Sequence, residues 1–187
     1  MIFQIKSLVA DTWGLMTKTS LTWEQIFHTT TEQSAFKRFF LFFLSLTVVL
    51  VFVFKIVYDE ATVQNAVLFS VVTALAYLGA YFLTIYFAMR YFKRKQVELI
   101  SFGTIEKIVA YSFVIVFAIK QIVTIIPSLF FLQILNIYTF YIIWEGCKIG
   151  FNFDEDQTGK LMLLIGFSII LFPAIISKVL FLMLPSL

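Results

Sequence analysis

One cysteine and one histidine in 187 residues exclude much chemistry at the outset. A zinc set needs about four Cys or His ligands, so none can be assembled within a single chain, and a reactive Cys–His pair is equally unpromising. Charge is scarce as well. Asp, Glu, Lys and Arg make up 13% of the chain, about half the share in a soluble domain. No glycine-rich loop followed by Lys-Ser or Lys-Thr occurs, and no Gly-x-Ser-x-Gly elbow, so a phosphate-cradling loop and a hydrolase nucleophile are not expected. Residues 154–160, "DEDQTGK", begin like a calcium loop with Asp154, Asp156 and Gly159, but the twelfth position is Ile165 where a bidentate Glu belongs. His28 reads as a solvated residue among threonines, and Cys147 beside Lys148 as a free thiol near a membrane surface, reversible acylation being the alternative. The expectation is a protein that is not an enzyme and has no cofactor.

What the chain has instead is apolar length. It is 61% hydrophobic and holds 24 Phe, and its uncharged runs approach the roughly 20 residues a helix needs to cross about 30 Å of hydrocarbon. Barrel strands would be about 10 residues of alternating polarity, so the runs are helices. Five are predicted, at about 39–57, 63–89, 108–126, 129–144 and 161–184. Pro127 marks the turn between the third and fourth, since its fixed φ and missing N–H are tolerated at the start of a helix but not inside one. Backbone groups in lipid must be satisfied within each segment, which predicts an all-α, five-span bundle over 36–187, preceded by a cytoplasmic segment over 1–35.

Lysine and arginine set the orientation. With the N-terminus inside, the inner regions hold Lys6, Lys18, Lys37, Arg38, Arg90, Lys93, Arg94, Lys95, Lys107, Lys148 and Lys160, and the outer ends only Lys55 and Lys178. That bias predicts an N-terminus in the cytoplasm and a C-terminus outside. The cluster Arg90, Lys93, Arg94 and Lys95 then faces anionic headgroups, and the net charge of +3 speaks to topology rather than to nucleic acid.

No cleavable signal peptide is expected, because the first residues mix charge into apolar positions. Ile2, Ile5, Val9, Trp13 and Met16 recur instead at helical spacing. They predict an amphipathic helix lying in the cytoplasmic interface, with docking of the stripe on the bundle as the alternative. Thr22 and Gln25 have the spacing of a capping box, and Thr29 with Glu32 offers a second one. A short helix near Trp23 follows, with Trp23 and Ile26 sharing a face that continues the interfacial or partner surface.

Here the sequence takes on a family likeness. "WEQI" at 23–26, "EKIVAYSF" at 106–113 and "LQILNIYTFYIIWEGCKIG" at 132–150, with Tyr138, Tyr141 and Gly146, resemble bacterial members of the Yip family of five-span membrane proteins. The resemblance implies a five-span fold with a cytoplasmic N-terminus. In eukaryotic, Rab-GTPase-interacting relatives it also implies roles in vesicle traffic, membrane shaping and partner recruitment. The Asp-Leu-Tyr-Gly-Pro stretch of those relatives is missing here, and with the compact layout this points to a bacterial inner membrane.

Two features inside the spans remain. Ala66, Ser70, Ala74, Ala76, Gly79 and Ala80 punctuate the second span, which is therefore expected at the centre of the bundle, or alternatively at a self-association face. Lys120 and Gln121 interrupt the third span. Folding back at Pro127 places Lys120 between Gln133 and Asn136 of the fourth, a candidate polar cluster of Lys120, Gln121, Gln133 and Asn136. The lysine either lifts its ammonium toward the outer headgroups, which is the favoured reading, or holds helices together, or serves an ion or substrate site. The expected function is membrane organisation or partner recruitment, by a membrane-protein partner or a second copy. A small transporter or channel subunit is the alternative.

Overall fold

The computed structural model describes residues 2–28, 34–94, 101–151 and 153–183. Helix α1 (Ile2–Thr17) and helix α2 (Thr19–His28) form a hairpin. A turn of π-helix over Phe36–Phe40 runs into α3 (Leu41–Val57), followed by α4 (Val63–Arg94) and α5 (Phe102–Ile125). A 3-10 helix over Pro127–Ile137 leads into α6 (Tyr138–Phe151), and α7 (Glu155–Met183) ends the described chain. Among the described residues, five helical segments are long and apolar enough to cross a membrane: Phe36–Val57, Val63–Lys93, Phe102–Ile125, Pro127–Phe151 and Glu155–Met183.

Each observed helix outruns its predicted span. Hydropathy measures the hydrocarbon-embedded part, whereas the hydrogen-bonded ladder continues into polar residues such as Arg90 and Lys93 at the end of α4. At the start of α7, the Asp154 carboxylate accepts the Gln157 N–H at 2.8 Å, and Lys160 pairs with Asp156. The acidic loop is thus a helix cap, with its carboxylates at the positive end of the dipole.

The centre of the bundle is α5, not the second span. In its apolar stretch 61% is buried in protein, against 39% for α4, and every residue from Ile108 to Phe117 is buried. A helix apolar all round and covered all round is a core helix. The small residues of α4 serve another purpose. Ala66, Ser70, Ala76 and Ala80 are buried, and a Cβ on Gly79 would come within 3.1 Å of Ile176 on α7. Gly79 thus lets α4 and α7, the most extensive helix pair, close on each other.

The fourth span also departs from expectation. Its first 11 residues wind as 3-10 helix, with Leu129 (φ −86, ψ 22) outside helical geometry. Such a segment rises about 2.0 Å per residue against about 1.5 Å for an α-helix. Counting from Pro127, this sets Leu132, about 10 Å along the segment, level with Lys120, about 10 Å along α5, where α-helical winding would have set Ile134.

Candidate functional site

Two ridges with the same four-residue spacing meet where the hairpin docks. Thr19, Trp23 and Phe27 lie along α2, and Tyr138, Ile142, Gly146 and Gly150 along α6. The Trp23 indole N–H donates to the Ile142 carbonyl at 2.9 Å, an oxygen whose second lone pair remains for its own helix. Its ring fills the space over Gly146, where a Cβ would lie 2.8 Å from Cε2, and Phe27 covers Gly150 equally closely. At the start of the ridge the Tyr138 hydroxyl donates to the Met16 carbonyl and sits 3.3 Å from the Thr19 hydroxyl. Only glycine at 146 allows a buried tryptophan so near the α6 backbone.

Polar contacts then tie the hairpin to the bundle. Lys107 on α5 donates to the Ile26 carbonyl at 3.1 Å, near the negative end of α2. Glu106 accepts from the Ser34 hydroxyl and from the Phe36 N–H. Arg38 reaches Asp11 at 3.5 Å and donates to the Ser7 hydroxyl at 2.9 Å. Burial holds the Asp11 carboxyl above its usual range, and the Arg38 guanidinium only partly offsets this. Tyr111 closes the set, edge-on to Trp23 and 4.3 Å from the Phe39 ring. The three stretches that carry the family likeness therefore meet at one place.

Several sequence expectations change here. Trp23 and Ile26 do not extend an outward face: both are buried, because their partner is α6 of the same chain. The outward residues are Val9 and Trp13, while Leu8 and Leu15 turn inward and Met16 packs at the edge of the core. The side chains of Ile2 and Ile5 lie outside the described residues, as do Thr29 and Glu32. Thr22 is no cap, since its hydroxyl donates to the Lys18 carbonyl within the hairpin and α2 already begins at Thr19. Cys147 is fully buried rather than interfacial, because it occupies the inward side of α6 beside Gly146. Of the basic patch, Arg90 and Lys93 are exposed at the end of α4, with Arg90 donating to the Tyr86 hydroxyl at 3.0 Å. The Arg94 side chain and Lys95 lie outside the described residues.

The polar cluster divides. Lys120, Gln133 and Asn136 line one cavity of about 240 Å³ between α4, α5, the 3-10 segment and α7. Gln121 turns away and donates to the Thr47 hydroxyl on α3 at 3.1 Å. Among the described residues no three His, Cys, Asp or Glu side chains converge as metal ligands would.

The sequence signal for this docking was the pair of glycines four residues apart, Gly146 and Gly150, matched by aromatics at 23 and 27. The Yip1 domain matches residues 13–185, beginning before Trp23 and running through all five spans. No curated protein and no solved structure matches the chain. Proteins with this domain are non-catalytic. With five membrane-length helices and a match over nearly all its residues, the chain belongs to the Yip1 domain family of multi-pass integral membrane proteins.

Proposed function

We propose that the chain is a membrane-organising scaffold of a bacterial cytoplasmic membrane, with its N-terminus inside and C-terminus outside, recruiting its partner through the outer face of the N-terminal hairpin. One contrast carries this reading. Trp23 is 0% exposed and fastens the hairpin, while Trp13 is 68% exposed on that hairpin. Val9 and Leu21 are exposed as well, which leaves apolar residues outward on a segment that is itself held in place. The surrounding end of the bundle carries exposed Arg90, Lys93 and Lys148, beside Lys160, which is paired with Asp156. That charge favours a seat against anionic headgroups, with Trp13 at headgroup depth.

The alternative, a small transporter or channel subunit, is favoured by one observation, the shared cavity of Lys120, Gln133 and Asn136.

A photo-crosslinking residue at position 13, used in native membranes, tests the reading. A reproducible protein adduct, weakened when Val9 is replaced by Asp, is the expected result. Adducts to lipid alone, with an unchanged population of complexes, would overturn recruitment. Orientation is checked with a reporter active only in the cytoplasm, expected to be active after Thr158 and silent after Leu187.

A further inference from the structure

The cavity that gathers Lys120, Gln133 and Asn136 lies away from the hairpin. Lys120 is 13 residues beyond Lys107 on α5, about 20 Å along the axis. Lys120 and Gln133 are exposed at its edge, and Tyr77, Ile119 and Pro173 are buried in its wall. About 240 Å³ is many times the roughly 10–15 Å³ that one water requires, so a group of several heavy atoms fits.

The charge balance of the lining is one-sided. Lys120 is the one Lys, Arg, Asp or Glu among the lining residues, so no carboxylate faces it there. None of the described ion pairs includes a lining residue. The Asn136 Oδ1 is buried without a hydrogen-bond partner among the described residues. Because rotation of the amide exchanges oxygen for NH2, the same position offers either an acceptor or a donor. Ser177 on α7 adds a hydroxyl to the wall. An ammonium, two amides and a hydroxyl around one space match an anionic oxygen group, not a cation.

Around this polar space the surface is apolar. Phe130, Ile134 and Ile175 are exposed on the elements that frame it, a surface suited to acyl chains. We propose that the cavity holds the anionic headgroup of a membrane amphiphile, a phosphate or carboxylate, with its chains lying along the 3-10 segment and α7. This goes beyond the scaffold reading and does not depend on the hairpin.

The test uses the full chain, purified in detergent, offered phosphatidylglycerol or phosphatidylcholine and weighed intact by native mass spectrometry. Wild type should retain phosphatidylglycerol with a preference of about tenfold over phosphatidylcholine. Lys120→Gln and Asn136→Leu should each bring that preference close to unity, while Lys120→Arg keeps it. If Lys120→Gln does not fold, Gln133→Leu at the exposed edge gives the same reading. Equal preference in wild type and in whichever of these neutral variants folds overturns the proposal. Inorganic phosphate at millimolar concentration separates the two sources of the anion. Protection of wild type against heat by phosphatidylglycerol but not by phosphate supports the lipid headgroup. Equal protection by phosphate alone, lost in the variants, overturns the amphiphile and leaves a site for a soluble anion.

Discussion

At the hairpin end, the charged side chains that enter the bundle finish on partners: Lys107 on the Ile26 carbonyl, Arg38 on Asp11 and Ser7, Glu106 on Ser34 and Phe36. At the other end, Lys120 of the same helix finishes in a cavity with no carboxylate in its lining. Polar groups at membrane depth are expensive unless they pair or reach water. The paired end therefore reads as architecture, a closed joint between the N-terminal hairpin and the spans. The unpaired end reads as a place left for something else. The contrast also separates two kinds of tolerance, since a closed joint suffers from almost any substitution, whereas an open site can lose its charge without losing the fold.

The largest effect should come from Trp23→Ala, which removes a fully buried ring and its bond to Ile142. Truncations of this kind cost about 3–5 kcal/mol, enough to release the hairpin, and protease cleavage near Lys18 should rise steeply while the spans stay intact. Unchanged protection would break the comparison at its firmer end.

Next comes Gly146→Ala. Its Cβ would meet a tryptophan ring already held by a hydrogen bond, so an overpacking cost of about 1–3 kcal/mol is expected. Gly150→Ala should cost less, because the atom it meets is the far tip of Phe27. Thermal unfolding of the two variants side by side sharpens the point: equal losses would mean that the indole bond does not fix the ring.

Lys120→Met should leave stability within about 0.5 kcal/mol of wild type, the usual range for a side chain without a structural partner. A double-mutant cycle with Asn136→Leu, measured on lipid-free protein, should show coupling below that value. Strong coupling would turn the open end into a second joint.

The smallest effect concerns Asp11. Its raised value means that the docked hairpin holds a proton more readily than the released one. Docking is therefore favoured below the ordinary carboxylate range and loses that contribution as pH rises through the raised value. Amide exchange in α1 should slow modestly as pH falls from about 7 to about 5, after correction for intrinsic rates, and Asp11→Asn should flatten the trend.

The five spans were legible because bilayer thickness writes itself into the length of apolar runs. Which span sits at the centre was not. A residue facing lipid and one facing a neighbouring helix are both apolar, so Val109 on α5, buried, and Val49 on α3, exposed, look alike in sequence. Gly79 on α4 reports close approach to one neighbour, Ile176 on α7, a different quantity from centrality. Trp23 was legible as part of a motif but not as buried, since tryptophan near a span suits an interface equally well. Its placement followed from agreement with Gly146 across more than a hundred residues. For the cluster, Pro127 announced the turn, yet side-chain pattern does not dictate helical rise, and the choice of 3-10 winding decided which residues came level.

That winding also sets direction. At three residues per turn, side chains three apart eclipse one another, so Phe130, Gln133 and Asn136 stack in one straight file, and Phe131, Ile134 and Ile137 in another. The first file places both amides in the same cavity, while the second is exposed along its length. In an α-helix each step of three would fall about 60° short of a full turn, and the amides would fan apart. Rewinding the 11 residues would also shorten the segment by about 5 Å. The segment is thus geared like a screw: any force that draws its Pro127 end toward the middle of the membrane also turns Gln133 out of line with Asn136, so that axial position and the presentation of the polar file are a single degree of freedom.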